Sequence, residues 1–200
     1  MQSANINVNY IIICAVDSGY GMGKENNIPW LKDKRFKWDM DHFISKTAHS
    51  TVIMGYNTMK SIRKPLKTRV NIVIAKNDKP IDSEEMYVDL RIIKDEDKPI
   101  KINFNDNQFY IVSDLQTATN LAEESLCDDE QDIYIIGGRK TYIEAIEKNI
   151  VSSAYISVLE DFFDCDVLFP VHLFNNNFLK ISSCKYDNGE INEYICKKKK

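Results

Sequence analysis

The sequence predicts an α/β sandwich built on a mixed, largely parallel central sheet with a C-terminal antiparallel hairpin. First, short continuous apolar runs, typical of strands buried on both faces, alternate with helical patterns as far as Tyr142. Second, Asp187-Asn188-Gly189 is a strong hairpin signal between two strand-like runs near the C-terminal end. Third, 200 residues with 44% hydrophobic content suffice for the core of a single domain.

The predicted elements follow these patterns in chain order. Residues 10–16 form the first apolar run, and the glycine-containing stretch 17–27 suits a mobile loop near a ligand. A helix is predicted at 38–46, where apolar side chains recur at helical spacing. The remaining patterns predict strands at 50–54, 70–75, 109–112, 132–136, 152–159, 178–185 and 191–196, and helices at 58–62, 114–126 and 140–147.

Three segments fall outside this alternation. Residues 79–107 are rich in Asp, Lys, Glu and Pro and carry a weak strand pattern at 90–93, so we expect an inserted surface loop. Residues 1–9 read as a polar tail, and residues 197–200 as a basic tail that we expect to be solvated. The domain is therefore predicted to span residues 10–196.

Composition argues against several classes of partner. The net charge of −4 gives no electrostatic reason to expect nucleic acid binding. The apolar run after the N-terminal tail is about seven residues long, too short for a signal peptide or a membrane span. The cysteines lack metal or redox spacing, which predicts no metal site and favours a reducing, cytoplasmic location: Cys14, Cys127, Cys165, Cys184 and Cys196.

Asp39 is the first candidate for a functional residue. Side chains three and four positions apart share a helix face, so Asp39 lies with Met40, Phe43 and Thr47. A carboxylate on an apolar face is costly to bury unless a charged or hydrogen-bonding group meets it. The alternative is an ordinary acidic residue at a helix start, where the helix dipole favours it.

Two glycine-containing stretches suit phosphate binding. Gly55 and the Gly137-Gly138 pair each follow a predicted strand and precede a helix, whose first N–H groups can hold a diphosphate. The earlier glycine loop lacks the spacing of the Rossmann fingerprint. Lys76, just past its strand, is either a phosphate partner or a solvated surface lysine.

Taken together, these motifs resemble dihydrofolate reductase. The resemblance runs in the right order from Ile11 to the last strand near Cys196. It rests on the loop that ends in Ile28-Pro29-Trp30, on Val52-Ile53-Met54-Gly55, and on Ser61-Ile62, Pro65-Leu66, Arg69 and Ile136-Gly137-Gly138. The resemblance implies a three-layer sandwich and NADPH-dependent reduction of 7,8-dihydrofolate to 5,6,7,8-tetrahydrofolate, which supplies one-carbon carriers for thymidylate and purine synthesis.

The resemblance also implies catalytic roles for Asp39, Trp30 and Ser157. The acid binds the amidine-like edge of the pterin ring and promotes protonation of the neighbouring nitrogen, and Ser157 supports it from a late strand. The family places its acid closer to the tryptophan, at positions held here by Arg35 and Phe36. A lengthened link would account for this, with Asp33 and Asp41 as the alternative acids.

The remaining site residues are carried over from the family in the same way. The resemblance places the substrate at Ile13, Cys14, Ala15, Ile28, Asp39, Met40, Phe43, Ser61, Ile62, Leu66, Arg69, Ile136, Tyr142 and Ser157, with Arg69 pairing with the tail carboxylate. It places NADPH at Ala15, Met22, Gly23, Gly55, Tyr56, Asn57, Thr58, Ala75, Lys76, Asn77, Gly137, Gly138, Arg139, Lys140, Thr141 and Tyr142. The family often has a basic residue where Tyr56 stands, which leaves Lys76 as the expected 2'-phosphate partner.

Two rival functions stay open at this point. One is a riboflavin-pathway reductase of the same fold that acts on a pyrimidine, and the other is a noncatalytic folate- or nucleotide-binding module. The expected partner is a small molecule, with neither nucleic acid nor membrane involved. The chain is expected to act as a monomer or as part of a bifunctional chain with thymidylate synthase.

Overall fold

The computed structural model describes residues 8–75, 81–83, 86–88, 99–104, 107–126 and 132–197. Its strands are β1 (Asn9–Val16), β2 (Gly21–Gly23), β3 (Thr51–Gly55), β4 (Val70–Ile74), β5 (Ile81–Ser83), β6 (Met86–Val88), β7 (Ile100–Phe104), β8 (Asn107–Val112), β9 (Asp132–Ile135), β10 (Val151–Leu159), β11 (Val167–Leu168), β12 (Phe178–Tyr186) and β13 (Gly189–Cys196). Its helices are α1 (Lys37–Thr47), α2 (Tyr56–Ile62), α3 (Leu115–Glu124), α4 (Arg139–Glu147) and α5 (Val171–Asn177), with a 3-10 turn at Lys34–Phe36.

The central sheet has nine strands in the order β12-β13-β10-β1-β9-β3-β4-β8-β7. From β10 to β8 every neighbouring pair is parallel. The pairs β10–β13, β12–β13 and β7–β8 are antiparallel, so antiparallel strands lie at both edges of the sheet. The predicted α/β fold, with a mixed, mostly parallel sheet and a C-terminal hairpin, is confirmed.

Strand β1 illustrates why the sheet is buried on both faces. Ile12 packs into one core, which also contains Tyr142 of α4. The next residue along, Ile13, belongs to a second core with Met59 of α2, and Phe43 of α1 packs at its margin. Because side chains alternate along a strand, a continuous apolar run supplies both cores at once. None of the helices in the described part of the chain is long and apolar enough to cross a bilayer.

The structure differs from the sequence prediction mainly between residues 79 and 107. We expected a surface loop, but residues 100–104 form the edge strand β7, and the short strands β5 and β6 pair antiparallel. The strand pattern at 90–93 lies outside the described residues. Elements that the sequence did not predict are β2, β11, α5 and the 3-10 turn, each of which is too short for a periodic pattern to be recognised.

The start of the basic C-terminal segment is also bound rather than solvated. The Lys197 ammonium donates to the carbonyl oxygens of Asn175 and Asn176 at 2.6 and 3.2 Å. These carbonyls lie in the last turn of α5, where a cation is favoured by the helix dipole. Residues 198–200 lie outside the described part of the chain.

Candidate active site

Asp39 lies in the first turn of α1 and is partly buried. Burial raises the pKa of its carboxyl, whereas the side chains of Ser157 and Trp30 lower that pKa by favouring the charged form. Ser157 is itself buried on β10, directly beside Ala15 of β1 in the parallel register. The helix start and the two central strands thus bring one carboxylate and its supporting hydroxyl together.

The link between Trp30 and α1 contains the 3-10 turn, which takes up part of the longer connection from Trp30 to Asp39. Asp33 caps this turn by accepting the Arg35 N–H at 3.0 Å, and its carboxylate pairs with the Arg35 guanidinium at 2.7 Å. Phe36 is buried against Trp30 in a small aromatic core. The extra residues therefore form a compact turn that still delivers Asp39 to the sheet.

The two alternative acids lie in surface ion pairs. Asp33 pairs with Arg35, and Asp41 pairs with Lys37 at 2.6 Å one helical turn away. Asp41 is exposed, as expected for a residue on the outer face of α1. Exposed pairs of this kind contribute little free energy, and neither carboxylate is the one desolvated next to Trp30.

Trp30 forms the aromatic side of this cluster. Its side chain is only 3% exposed, and its ring centroid lies 5.3 Å from that of Phe163. The indole N–H is buried and has no hydrogen-bond partner among the described residues. It nevertheless lies close enough to Asp39 to lower the pKa of the carboxyl.

Cys14 and Tyr142 complete what we call the acid cluster, defined as Cys14, Trp30, Asp39, Tyr142 and Ser157. Burial raises the pKa of the Cys14 thiol to about 12 and raises the pKa of the Tyr142 phenol well above its ordinary value, in both cases with a smaller contribution from Asp39. The Tyr142 hydroxyl donates to the Ile13 carbonyl at 2.9 Å. Both groups stay neutral at neutral pH, so the charge of the acid cluster resides on Asp39.

Apolar side chains extend from the acid cluster along one face of the sheet. Phe43, Ile62, Leu66 and Ile136 all pack at the margin of the second core, partly buried. Ile28 is 37% exposed at the end of the glycine loop. The structure leaves Ala15, Met40 and Ser61 partly buried as well, and such partly covered side chains suit the wall of a ligand pocket.

Arg69 is anchored to the C-terminal end of α1. Its Nε donates to Thr47 Oγ1 at 2.9 Å, and its terminal nitrogens donate to the carbonyl oxygens of Ile44 and Lys67 at 3.1 and 2.7 Å. It forms no ion pair with any described residue. Since these bonds use one N–H of each nitrogen, each terminal nitrogen keeps one donor for a ligand. Burial lowers the pKa of Arg69, although the guanidinium remains charged.

Three glycines form a narrow cradle beside the helix N-termini. Gly55 N donates to the Gly137 carbonyl at 2.6 Å, and the Gly137–Gly138 peptide bond is cis. A Cβ on Gly55 would lie 2.9 Å from Thr141 Oγ1, so a side chain at this position would have to displace Thr141. Gly55 and Gly138 are the N-cap residues of α2 and α4, and neither cap contributes a side-chain hydrogen bond. These features fit the diphosphate of a dinucleotide.

The other predicted cofactor residues differ in burial and in contacts, and two of them are not described by the structure. Lys76 and Asn77 lie outside the described residues. Arg139 donates to the Leu168 carbonyl, and Lys140 is exposed. Thr141 is buried, facing Gly55. Tyr56, Asn57 and Thr58 form the first turn of α2, Met22 and Gly23 lie in β2, and Ala75 is buried at the end of β4.

Asp17 is an organising residue that the sequence argument did not single out. Its buried carboxylate accepts the N–H groups of Gly19 and Gly21 at 2.8 and 2.7 Å, and that of Phe163 at 2.9 Å. It therefore ties the glycine loop to the segment before β11. The signal was present as Asp-Ser-Gly directly after a buried strand, a pattern typical of an Asx turn.

Comparison with known proteins adds an independent result. A family model described as dihydrofolate reductase matches residues 9–200. The chain is 30% identical over 191 residues to a dihydrofolate reductase of Ureaplasma parvum, covering 95% of this chain and 98% of that relative. It is 30% identical over 185 residues to a bifunctional dihydrofolate reductase-thymidylate synthase of Paramecium tetraurelia, covering 92% of this chain and 33% of that relative.

A solved structure has the same architecture. It is dihydrofolate reductase from Enterococcus faecalis complexed with NADP(H) and RAB-propyl, with a TM-score of 0.69 and 18% sequence identity. The match covers 96% of this chain and 98% of that one. At this identity the likeness shows the shared fold alone.

Proposed function

The chain belongs to the dihydrofolate reductase family, and from this premise we propose that it reduces 7,8-dihydrofolate to 5,6,7,8-tetrahydrofolate with NADPH. The observation that carries the proposal is the partly buried Asp39 carboxylate, desolvated beside Trp30 and Ser157. This is a site for an oriented, positively polarised group, and the amidine-like edge of a dihydropterin is such a group.

Asp39 has two tasks in this proposal. Its two oxygens accept N–H groups of the pterin edge, which fixes the ring in one orientation. Its raised proton affinity helps couple this contact to protonation of the neighbouring ring nitrogen. Ser157 and Trp30 favour the charged form of the carboxylate, while the neutral Cys14 and Tyr142 add no competing charge.

The glycine cradle and the first turns of α2 and α4 hold the diphosphate of NADPH in this proposal, with Lys76 as the 2'-phosphate partner. When bound, NADPH supplies the hydride. The chain's own residues orient the two reactants and exclude water, and the buried side chains of Trp30, Phe36 and Tyr142 contribute to this exclusion. Arg69 binds the tail carboxylate of the substrate with its two remaining donors.

The rival functions make different demands on the site. A riboflavin-pathway reductase needs neither the Pro29-Trp30 motif nor a tail-binding arginine such as Arg69. A noncatalytic module does not need a partly buried acid whose raised proton affinity promotes proton transfer. The family match over nearly the whole chain favours the reductase acting on dihydrofolate.

One assay separates these functions. The purified chain is mixed with NADPH and either dihydrofolate or a diaminopyrimidine substrate of riboflavin synthesis, and loss of NADPH absorbance is followed. Oxidation that depends on dihydrofolate is expected. Oxidation only with the pyrimidine, or none with either, would refute the proposed activity in favour of the corresponding rival.

We further propose that the protein acts in the cytoplasm on small molecules. Cys14, Cys165, Cys184 and Cys196 are free thiols, which suits a reducing compartment. In this proposal the protein acts as a monomer. Fusion to thymidylate synthase, as named for the Paramecium relative, is the alternative arrangement.

A further inference from the structure

Asn71 is a fully buried asparagine near the start of β4. Its side-chain Oδ1 accepts the Leu66 N–H at 2.9 Å, and its Nδ2 donates to the carbonyl oxygens of Leu66 and Arg69 at 2.9 and 3.0 Å. Asparagine is depleted in strands because its amide must find partners when it is buried. Here the partners are the two ends of the turn formed by residues 66–69.

The backbone conformation of this turn is not one that its own residues favour. Thr68 has a positive φ of 59°, which is unfavourable for a residue with a branched Cβ. Within the turn, the Thr68 hydroxyl donates to the Lys67 carbonyl at 2.6 Å. The bonds from Asn71 hold Leu66 and Arg69, on either side of Thr68, and they come from a side chain buried in the central sheet.

Arg69 is consequently held at two points. Asn71 binds its backbone carbonyl, and the end of α1 binds its guanidinium through Thr47 and Ile44. A planar fork can grip a carboxylate with two parallel bonds only if both its position and its plane are set. Leu66, bound twice by Asn71, belongs to the apolar wall beside it.

We propose that Asn71 is a positioning residue that sets Arg69 for the tail carboxylate of the substrate, an inference that rests on the proposed function. Asn71 has no exposed surface, so it acts through other residues and not by direct contact with the substrate. It acts by holding Leu66 and Arg69 at a fixed separation, so its loss weakens recognition of the tail and leaves the chemistry at Asp39 unchanged.

The test compares two substrates that share the reacting ring. Dihydrofolate carries the tail, and 6-methyl-7,8-dihydropterin does not. For Asn71→Ala we expect the KM for dihydrofolate to rise about tenfold, whereas the KM for the tailless substrate and both kcat values change by less than about twofold. In the Arg69→Leu background, Asn71→Ala should cause no further loss for dihydrofolate, because the two residues act through one contact.

A matched control is Asn192→Ala. Asn192 is also buried in the central sheet, but its amide donates to Glu190, far along the sheet from the turn. A purely structural role for Asn71 predicts similar behaviour of the two variants: lower thermal stability with both substrates affected alike. Asn192→Ala is expected to leave the ratio of the two KM values unchanged.

Two results would overturn the inference: equal losses for the two substrates, or a further loss of dihydrofolate binding when Asn71→Ala is added to Arg69→Leu. If Asn71→Ala does not fold, Asn71→Ser, which keeps one donor, is held to the same KM comparison. Failure of the unsubstituted chain to reduce dihydrofolate would instead refute the proposed function.

Discussion

Replacing Arg69 by leucine removes the proposed contact to the substrate tail and leaves the reacting ring untouched. The structure limits what this contact can contribute. Thr47, Ile44 and Lys67 already occupy one N–H on each guanidinium nitrogen, so two donors remain for a carboxylate. Two charge-assisted hydrogen bonds at a partly exposed site are together worth about 3 kcal/mol, which corresponds to a rise in KM on the order of 100-fold.

The assay is steady-state NADPH oxidation at varied dihydrofolate concentration, measured for the parent and for the Arg69→Leu and Arg69→Lys variants. We expect KM to rise and kcat to change little, the pattern of a lost ground-state contact. Lysine should restore the affinity only in part, because an ammonium cannot make the bidentate contact. Pterin-like inhibitors without a glutamate tail should bind Arg69→Leu almost as well as the parent. Equal losses for tailed and tailless ligands would refute the tail-binding role.

Three further predictions concern the cofactor and the acid. Lys76→Ala should weaken NADPH binding about tenfold and NADH binding little, because a phosphate paired with one lysine gains about 1 to 2 kcal/mol. Equal losses of affinity for the two cofactors in titrations would instead assign the phosphate contact to Arg139 or Lys140. Gly55→Ala should weaken NADPH binding, since its Cβ would meet Thr141 Oγ1 at 2.9 Å; Thr141→Ala should recover part of the loss, and no recovery would show that the cradle itself is disturbed. Asp39→Asn should raise the free energy of unfolding at neutral pH. Burial raises the folded-state pKa of this carboxyl, so the parent loses stability as pH rises through that pKa. The higher free energy of unfolding of Asp39→Asn relative to the parent should disappear below the unfolded-state pKa of about 4. A difference that persists in acid would contradict desolvation of the carboxylate as its cause.

The sequence predicted the parts of the fold whose patterns are long and local. The apolar run that became β1 and the Asn188-Gly189 turn before β13 needed no tertiary information. Strand β7 has an alternating pattern, Ile100-Lys101-Ile102-Asn103-Phe104, but this short signal lies within a polar segment that as a whole predicts a loop, and the strand is completed by pairing with β8. Propensity is a weak guide where tertiary pairing decides the structure.

The same difference between local patterns and tertiary contacts applies to the candidate site. The sequence singles out Asp39 because it lies on the apolar side of a helix, and the structure leaves this residue partly buried, which raises the pKa of its carboxyl. The bond from Phe163 to Asp17 joins residues far apart in the sequence, whose proximity no spacing rule reveals, whereas Leu66 donates to Asn71 across a short turn. A polar residue inside an apolar strand, such as Asn71, needs hydrogen-bond partners when it is buried, and its presence in the sequence therefore predicts such bonds.

The most direct test of the central claim, that Asp39 is the acid of a dihydrofolate reductase, is turnover of dihydrofolate by Asp39→Asn at neutral pH. The substitution keeps the size of the side chain and removes its charge. Loss of one oriented charge partner should raise the barrier by roughly 3 kcal/mol and lower turnover on the order of 100-fold, with NADPH binding retained. Asp33→Asn and Asp41→Asn, which alter surface ion pairs, should turn over like the parent. Normal turnover by Asp39→Asn, together with loss of turnover in either of the other two variants, would contradict the assignment.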